Sequence, residues 1–274
     1  MMILKTIFSN ICRLFRRHND YTFAAMQLGP RRSYLLKDDG EIVTIDSCIC
    51  ITEQDNAHNI TVSNRGFFRP IAKRVIWPII DNSTIADYKG LEILTYGLLS
   101  RCKSNKRINL YATIQPDITD VEIQSINDSI RFSRANISLS LISKPIAIAV
   151  GAGLELDSSE SIYIVDVYCD CRAPKESHYG IWMSEFANGR MVYSKHFYFW
   201  EDNVVCGILS KTNSNSPRLF IVGDCDDIYR FCRLFNENGA QAIVPQNPDC
   251  IALQGIIRML TEKMCLDIDD AMIN

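Results

Sequence analysis

Two clusters of short β-rich runs, each followed by alternating helix and strand patterns, restrict this chain to an α/β architecture with two related halves. The first cluster is Tyr21–Gln27, Ser33–Lys37 and Ile42–Ile51, with Asp38-Asp39-Gly40 as the turn between the last two. Helical periodicity follows over Ile85–Ser100, then a buried-type strand at Ile108–Ile114. Thr119–Phe132 reads as a helix, with Thr119 as N-cap and Glu122 at the capping-box position. Leu139–Ile142 is a strand and Pro145–Ala152 a helix of small residues. The second cluster is Ile162–Val167 and a hairpin, Gly180–Phe186 with Met191–Trp200, around Asn188-Gly189. After the linker-like run Ser210–Pro217 come strand Leu219–Val222, helix Asp226–Asn236, strand Ala242–Val244 and helix Cys250–Met264.

The length, 274 residues, is enough for about two lobes around sizeable cores. A net charge of −3 gives no global pull toward nucleic acid, so no nucleic-acid partner is expected. No apolar run has the length of a membrane-spanning helix. The N-terminal apolar positions are interrupted by charge with no small-residue cleavage site after them, so a secretory signal is not expected. Eleven cysteines are scattered over apparent strands and helices, a pattern of a reducing cytoplasm rather than of a disulfide framework. The pairs Cys48/Cys50 and Cys169/Cys171 lack the spacing and the four ligands of a zinc site, so no metal is expected there.

Residues 1–20 form a separate unit. Ile3, Leu4, Ile7, Phe8, Ile11, Leu14 and Phe15 recur at helical spacing, and Lys5, Arg13, Arg16 and Arg17 add positive charge. A basic amphipathic helix with Phe and Leu on its apolar face suits a membrane surface; the competing reading docks it on the protein's own core.

Several stretches resemble, in order, the bacterial actins of the MreB (rod-shape-determining) type. Thr84-Ile85-Ala86-Asp87-Tyr88 is similar to Val-Ile-Ala-Asp-Phe, and Thr119-Asp120-Val121-Glu122 to the Thr-x-Val-Glu that opens the next helix. The run from Lys144-Pro145 to Gly151-Ala152-Gly153-Leu154 resembles Glu-Pro-x-Ala-Ala-Ala-Ile-Gly-Ala-Gly-Leu. Ile164-Val165-Asp166-Val167 falls on the strand leading into the family's second phosphate loop, and Ile221-Val222-Gly223 through Leu234 on its adenosine-side segment. Asn247-Pro248 through Gly255 resembles the closing block. The resemblance implies a two-lobed actin-like (ribonuclease H-like) ATPase fold, with lobes at 21–145 and 146–274 and a final return to the first lobe. Val167 to Leu219 leaves about fifty residues where the family carries a much longer stretch, so one outer subdomain is expected to be reduced or missing.

The family's nucleotide site implies Gly-rich turns whose bare backbone can reach the phosphates, and a carboxylate that organises Mg²⁺. The first loop, Asp-x-Gly-Thr-x-x-Thr in the family, is here Gln27-Leu28-Gly29-Pro30-Arg31-Arg32-Ser33. Gln27 carries no charge and Pro30 removes a backbone donor, while Arg31 and Arg32 offer only long side chains. The second, Asp-x-Gly-Gly-Gly-Thr-Thr, is here Asp166-Val167-Tyr168-Cys169-Asp170-Cys171-Arg172. Asp166 is kept, but Asp170 puts a carboxylate where a phosphate belongs. Like charges about 4 Å apart cost roughly 4 kcal/mol at an effective dielectric of about 20, more than a few hydrogen bonds return. The adenosine-side glycines reduce to Gly223. Glu122 matches the family's water-orienting glutamate, yet serves equally as a capping-box residue. His178 and His196 have no partner at catalytic spacing, and Phe197-Tyr198-Phe199-Trp200 reads as strand core or as a contact surface.

These readings lead to a membrane-associated actin-fold scaffold or regulator with an eroded nucleotide site and no expected cofactor. It would sit in the cytoplasm on the inner membrane and bind itself or a true MreB-type filament. Two other readings stay open: an active ATP/Mg-dependent filament protein for rod shape, and a secreted effector with an actin-like surface.

Overall fold

The computed structural model describes residues 21–54, 57–62, 74–80, 84–102, 106–154, 161–169, 178–200, 203–212 and 214–272. The N-terminal apolar stripe (Ile3 to Phe15) and the loop residues Asp170, Cys171 and Arg172 lie outside these. The described residues fall into two units. The first draws on those within 21–114, 118–142 and 256–272, the second on those within 115–117 and 143–255.

In the first unit, β1 (Tyr21–Gln27), β2 (Arg32–Lys37) and β3 (Ile42–Asp46) form an antiparallel meander. The Asp38–Gly40 turn behaves as its sequence predicts: Gly40 takes φ 84° and Gly40 N–H donates to Lys37 O. The run expected as one strand over Ile42–Ile51 is two. Its chain leaves the sheet at Ser47, whose amide donates to Arg31 O, and resumes as β4 (Ile49–Gln54) in a separate sheet with β5 (Ala57–Val62) and β6 (Arg74–Ile76). The pair β7 (Ile79–Ile80) and β8 (Thr84–Ile85) precedes helix α1 (Tyr88–Leu99). Asp87 caps α1 by accepting from Gly90 N at 2.7 Å.

Strand β9 (Arg107–Ile114) returns parallel to β1, as a crossover through a helix requires. After α2 (Asp120–Ser133), β10 (Ile137–Ser143) completes the sheet in the order β10-β9-β1-β2-β3. The core joins Ala24, Met26, Leu35, Leu110 and Ala112 of the sheet to Leu91, Leu94 and Leu98 of α1 and Ile126 and Ile130 of α2. The two helices also share a polar link: the buried Thr95 hydroxyl reaches Ser129 O and Ser133 Oγ.

The second unit repeats this order. Its sheet is β13-β12-β11-β14-β15, built from β11 (Ile162–Cys169), β12 (His178–Ala187), β13 (Arg190–Trp200), β14 (Arg218–Val222) and β15 (Gln241–Ile243). In both sheets the opening strand lies in the middle. A two-strand antiparallel extension stands on one side, and a parallel strand on the other. This shared order supplies the two related halves expected from the sequence. The β12–β13 hairpin closes on Asn188 and Gly189 at φ 51° and 74°, the left-handed pair an Asn-Gly turn favours.

One face of this sheet (Tyr163, Val165, Val167, Ile181, Met183, Ile221) is covered by α4 (Val204–Leu209) and α5 (Ile228–Glu237). Helix α3 (Lys144–Ala152) and the start of α6 (Ile251–Met272) cross at small residues. A Cβ added at Gly255 would lie 1.7 Å from Ala147 O, and one at Gly151 2.2 Å from Ile251 O. Glycine at positions 151 and 255 is therefore a packing requirement of this crossing. No described helix is long and apolar enough to cross a membrane.

Candidate functional site

The first-unit loop follows β1. Gln27 is buried at the strand's end and pairs in register with Thr113 on β9 and Tyr34 on β2. The loop folds on itself: Gly29 N donates to Ser33 Oγ at 3.4 Å, and Ser33 Oγ shares a 2.6 Å hydrogen bond with Ser47 Oγ. The serine hydroxyl at the end of the loop is thus committed to the protein. Arg31 and Arg32 are half-buried.

Glu122 sits in the first turn of α2 with both carboxylate oxygens occupied. Oε2 accepts from the Thr119 amide at 3.0 Å and from its hydroxyl at 2.7 Å, while Glu122 N donates to Thr119 Oγ1, a complete capping box. Oε1 accepts from Ile85 N at 3.3 Å, joining β8 to the helix start. We expect Glu122→Ala to lower stability by about 1–2 kcal/mol, and Glu122→Gln, which keeps the box chemistry, by much less. Thermal melting of the two variants separates this capping role from a purely catalytic one, which would leave both melting temperatures unchanged.

The second-unit site centres on Asp166, on the face of β11 opposite α4 and α5. The residue is buried, at 3% exposure. Lys144 Nζ, from the first residue of α3, lies 2.6 Å from Oδ2, with side-chain exposures of 6% and 4%. Gln115 Nε2 donates to the same oxygen at 3.3 Å. Gly223 closes the other side: it takes φ 118°, and an added Cβ would lie 2.8 Å from Asp166 Oδ1 and 2.1 Å from Val167 O. Its amide donates to Pro248 O at 2.9 Å. Gly223, singled out as the surviving adenosine-side glycine, is thus demanded by the approach of the chain to β11.

At Tyr168, two residues on, β11 does not turn. It continues in antiparallel register with β12, Tyr168 opposite Gly180 and Cys169 opposite Tyr179. The Tyr168 ring is 1% exposed and lies over Gly180, where an added Cβ would meet ring atoms at 2.1 Å. Tyr168 Oη shares a 2.5 Å hydrogen bond with His196 Nε2. His196 in turn stacks with Trp182 and meets Tyr198 edge-on, so it is part of an aromatic packing cluster. Phe197 and Phe199 pack against the α4–α5 core, whereas Tyr198, on the other face, is 53% exposed.

Among the described residues, no group of three or more His, Cys, Asp or Glu side chains is placed to hold a metal ion. Cys48 and Cys50 are both buried. Sequence reasoning singled out Asp166 and Gly223, which the fold brings together. It missed Lys144 and Gln115. The available signal was a lysine standing where the resembled block has glutamate, directly before the proline that opens α3.

No family model matches the sequence, and no curated protein matches it. Solved structures do. ADP-bound MreB5 of Spiroplasma citri superposes with a TM-score of 0.66 at 12% identity, covering 91% of this chain and 98% of that one. The MamK double helical filament gives 0.60 at 10% identity over 88% of this chain and 99% of that one. An archaeal actin homologue gives 0.59 at 10% identity, with 88% and 99% covered.

Proposed function

We propose that this chain, an actin-fold protein with the two-lobed MreB-like architecture in shortened form, acts as a scaffold or regulator through protein–protein contact rather than by ATP turnover. The observation that carries this reading is the state of the second-unit site. The Asp166 carboxylate is paired with Lys144, and Tyr168, two residues on, is a buried tyrosine where a phosphate-gripping turn needs bare backbone. The complete capping box at Glu122 supports a structural role for that residue. The partner is a second copy or another actin-fold filament, a choice supported by the likeness to a protein solved as a double helical filament. Residues 1–18, a basic amphipathic stretch, place the protein peripherally on the cytoplasmic face of the inner membrane.

A second reading, an ATP-binding filament protein, is favoured by one specific observation: MreB5 of Spiroplasma citri was solved with ADP and with AMPPNP. Sedimentation separates the two. The scaffold reading expects the purified protein to pellet alone, or with an actin-fold partner on anionic vesicles, to the same extent with ATP, ADP or EDTA. Pelleting that requires Mg-ATP and is lost in Glu122→Gln, which keeps the capping box, supports the filament ATPase instead.

A further inference from the structure

The fold implies a divalent cation at the carboxylate that ends the first strand of the second unit, and the residues present do not fit one. Asp166 Oδ2 is taken by an ammonium at 2.6 Å and an amide at 3.3 Å. Oδ1 packs toward Gly223, where an added Cβ would lie 2.8 Å away. A metal would have to evict Lys144 or sit against its positive charge with almost no solvent to screen the two.

Lys144 is also in a place that would be unfavourable without this carboxylate. It opens α3, where the helix dipole disfavours a cation, and its side chain is 6% exposed, where an unpaired ammonium is costly. Its distance to Asp166 is that of a short charge-assisted hydrogen bond. Both costs are offset by Asp166, and the cost of burying Asp166 is offset by Lys144.

We infer that Lys144 is a resident counter-cation: it takes the electrostatic place of the divalent ion at Asp166 and holds α3 to β11 without any ligand. The inference rests on the reading of a site that does not turn over nucleotide. It adds that this half of the fold is ordered by its own lysine rather than by metal-nucleotide.

The test is thermal melting of the full chain with EDTA or with millimolar Mn²⁺ as the probe. The variants are Lys144→Met, Asp166→Asn and the double Lys144→Met/Asp166→Asn. Wild type is expected to melt at the same temperature in both conditions. Lys144→Met leaves a buried, uncompensated carboxylate and is expected to melt roughly 10 °C lower in EDTA, regaining part of that loss with Mn²⁺. The double variant recovers most of the stability and loses the Mn²⁺ response. Three results would overturn the inference: an Mn²⁺-dependent rise in wild type that Asp166→Asn abolishes, a Lys144→Met protein as stable as wild type, or a destabilised Lys144→Met with no Mn²⁺ response. If Lys144→Met cannot be purified folded, Lys144→Arg takes its place. It should keep the metal-independent melting of wild type, and an Mn²⁺ response there contradicts the inference. Adding ATP in EDTA keeps the two readings apart. Stabilisation of wild type by metal-free ATP would sink the nucleotide-independent scaffold and leave the resident cation standing.

Discussion

Gly255→Val is expected to destabilise the protein by at least about 3 kcal/mol and to leave little folded material at 37 °C. At this crossing the α6 backbone passes directly over that of α3. The first added carbon would lie 1.7 Å from Ala147 O and 2.9 Å from Gly151 N, both main-chain atoms. No rotamer change relieves such a contact, so the helices must separate. Because α3 starts at Lys144, its displacement also disturbs the ion pair with Asp166. Gly239→Ala is the control. That glycine has φ 87° but nothing within 4 Å of an added Cβ, so it should cost only the left-handed backbone penalty of about 1–2 kcal/mol. Calorimetric melting of the two variants checks the difference.

Gly223→Ala should be nearly as damaging, at about 3 kcal/mol or more, and it speaks directly to the site. The residue adopts φ 118°, and a methyl group would meet Val167 O at 2.1 Å and Val167 N at 2.7 Å. A glycine retained only to let a nucleotide approach would, when replaced, lose binding and keep its melting temperature. One retained for packing against β11 loses melting temperature whether or not any ligand is present. Denaturant unfolding of Gly223→Ala without nucleotide distinguishes the two, and a midpoint equal to wild type would contradict the packing role.

What could be read from the sequence was local chemistry with a local partner. The Asn188-Gly189 turn, the Asp38–Gly40 turn and the Thr119/Glu122 capping box each occupy a few adjacent residues, and each folds as its residue types dictate. The order of strand clusters and helices was legible for the same reason, and from it the two related halves. Contacts made across the fold were not legible. Lys144 meets Asp166 only because α3 delivers its first residue to the end of β11, and Gln115 reaches the same oxygen from 51 residues away. The sequence displayed the lysine as one more departure from a resembled block; its partner became visible only in three dimensions. The break of the Ile42–Ile51 run was hidden in the same way. Nothing in the alternation of that segment marks Ser47, whose bonds to Arg31 and Ser33 pull the chain out of the first sheet. Helix α4 was missed because six residues are too few to establish a helical period.

At the second-unit positions where the sequence comparison expects glycines, the structure has packing and pairing residues. Tyr168 is a core residue stacked over Gly180 and bonded to His196, and Asp166 is a partner of Lys144.

The most direct test of this account is isothermal titration of the purified full chain with Mg-ATP, with turnover followed in the same preparation. The account predicts no saturable heat up to millimolar ATP and no phosphate release above the buffer rate. Micromolar binding that needs Mg²⁺, is lost in Asp166→Asn and is accompanied by turnover would contradict it.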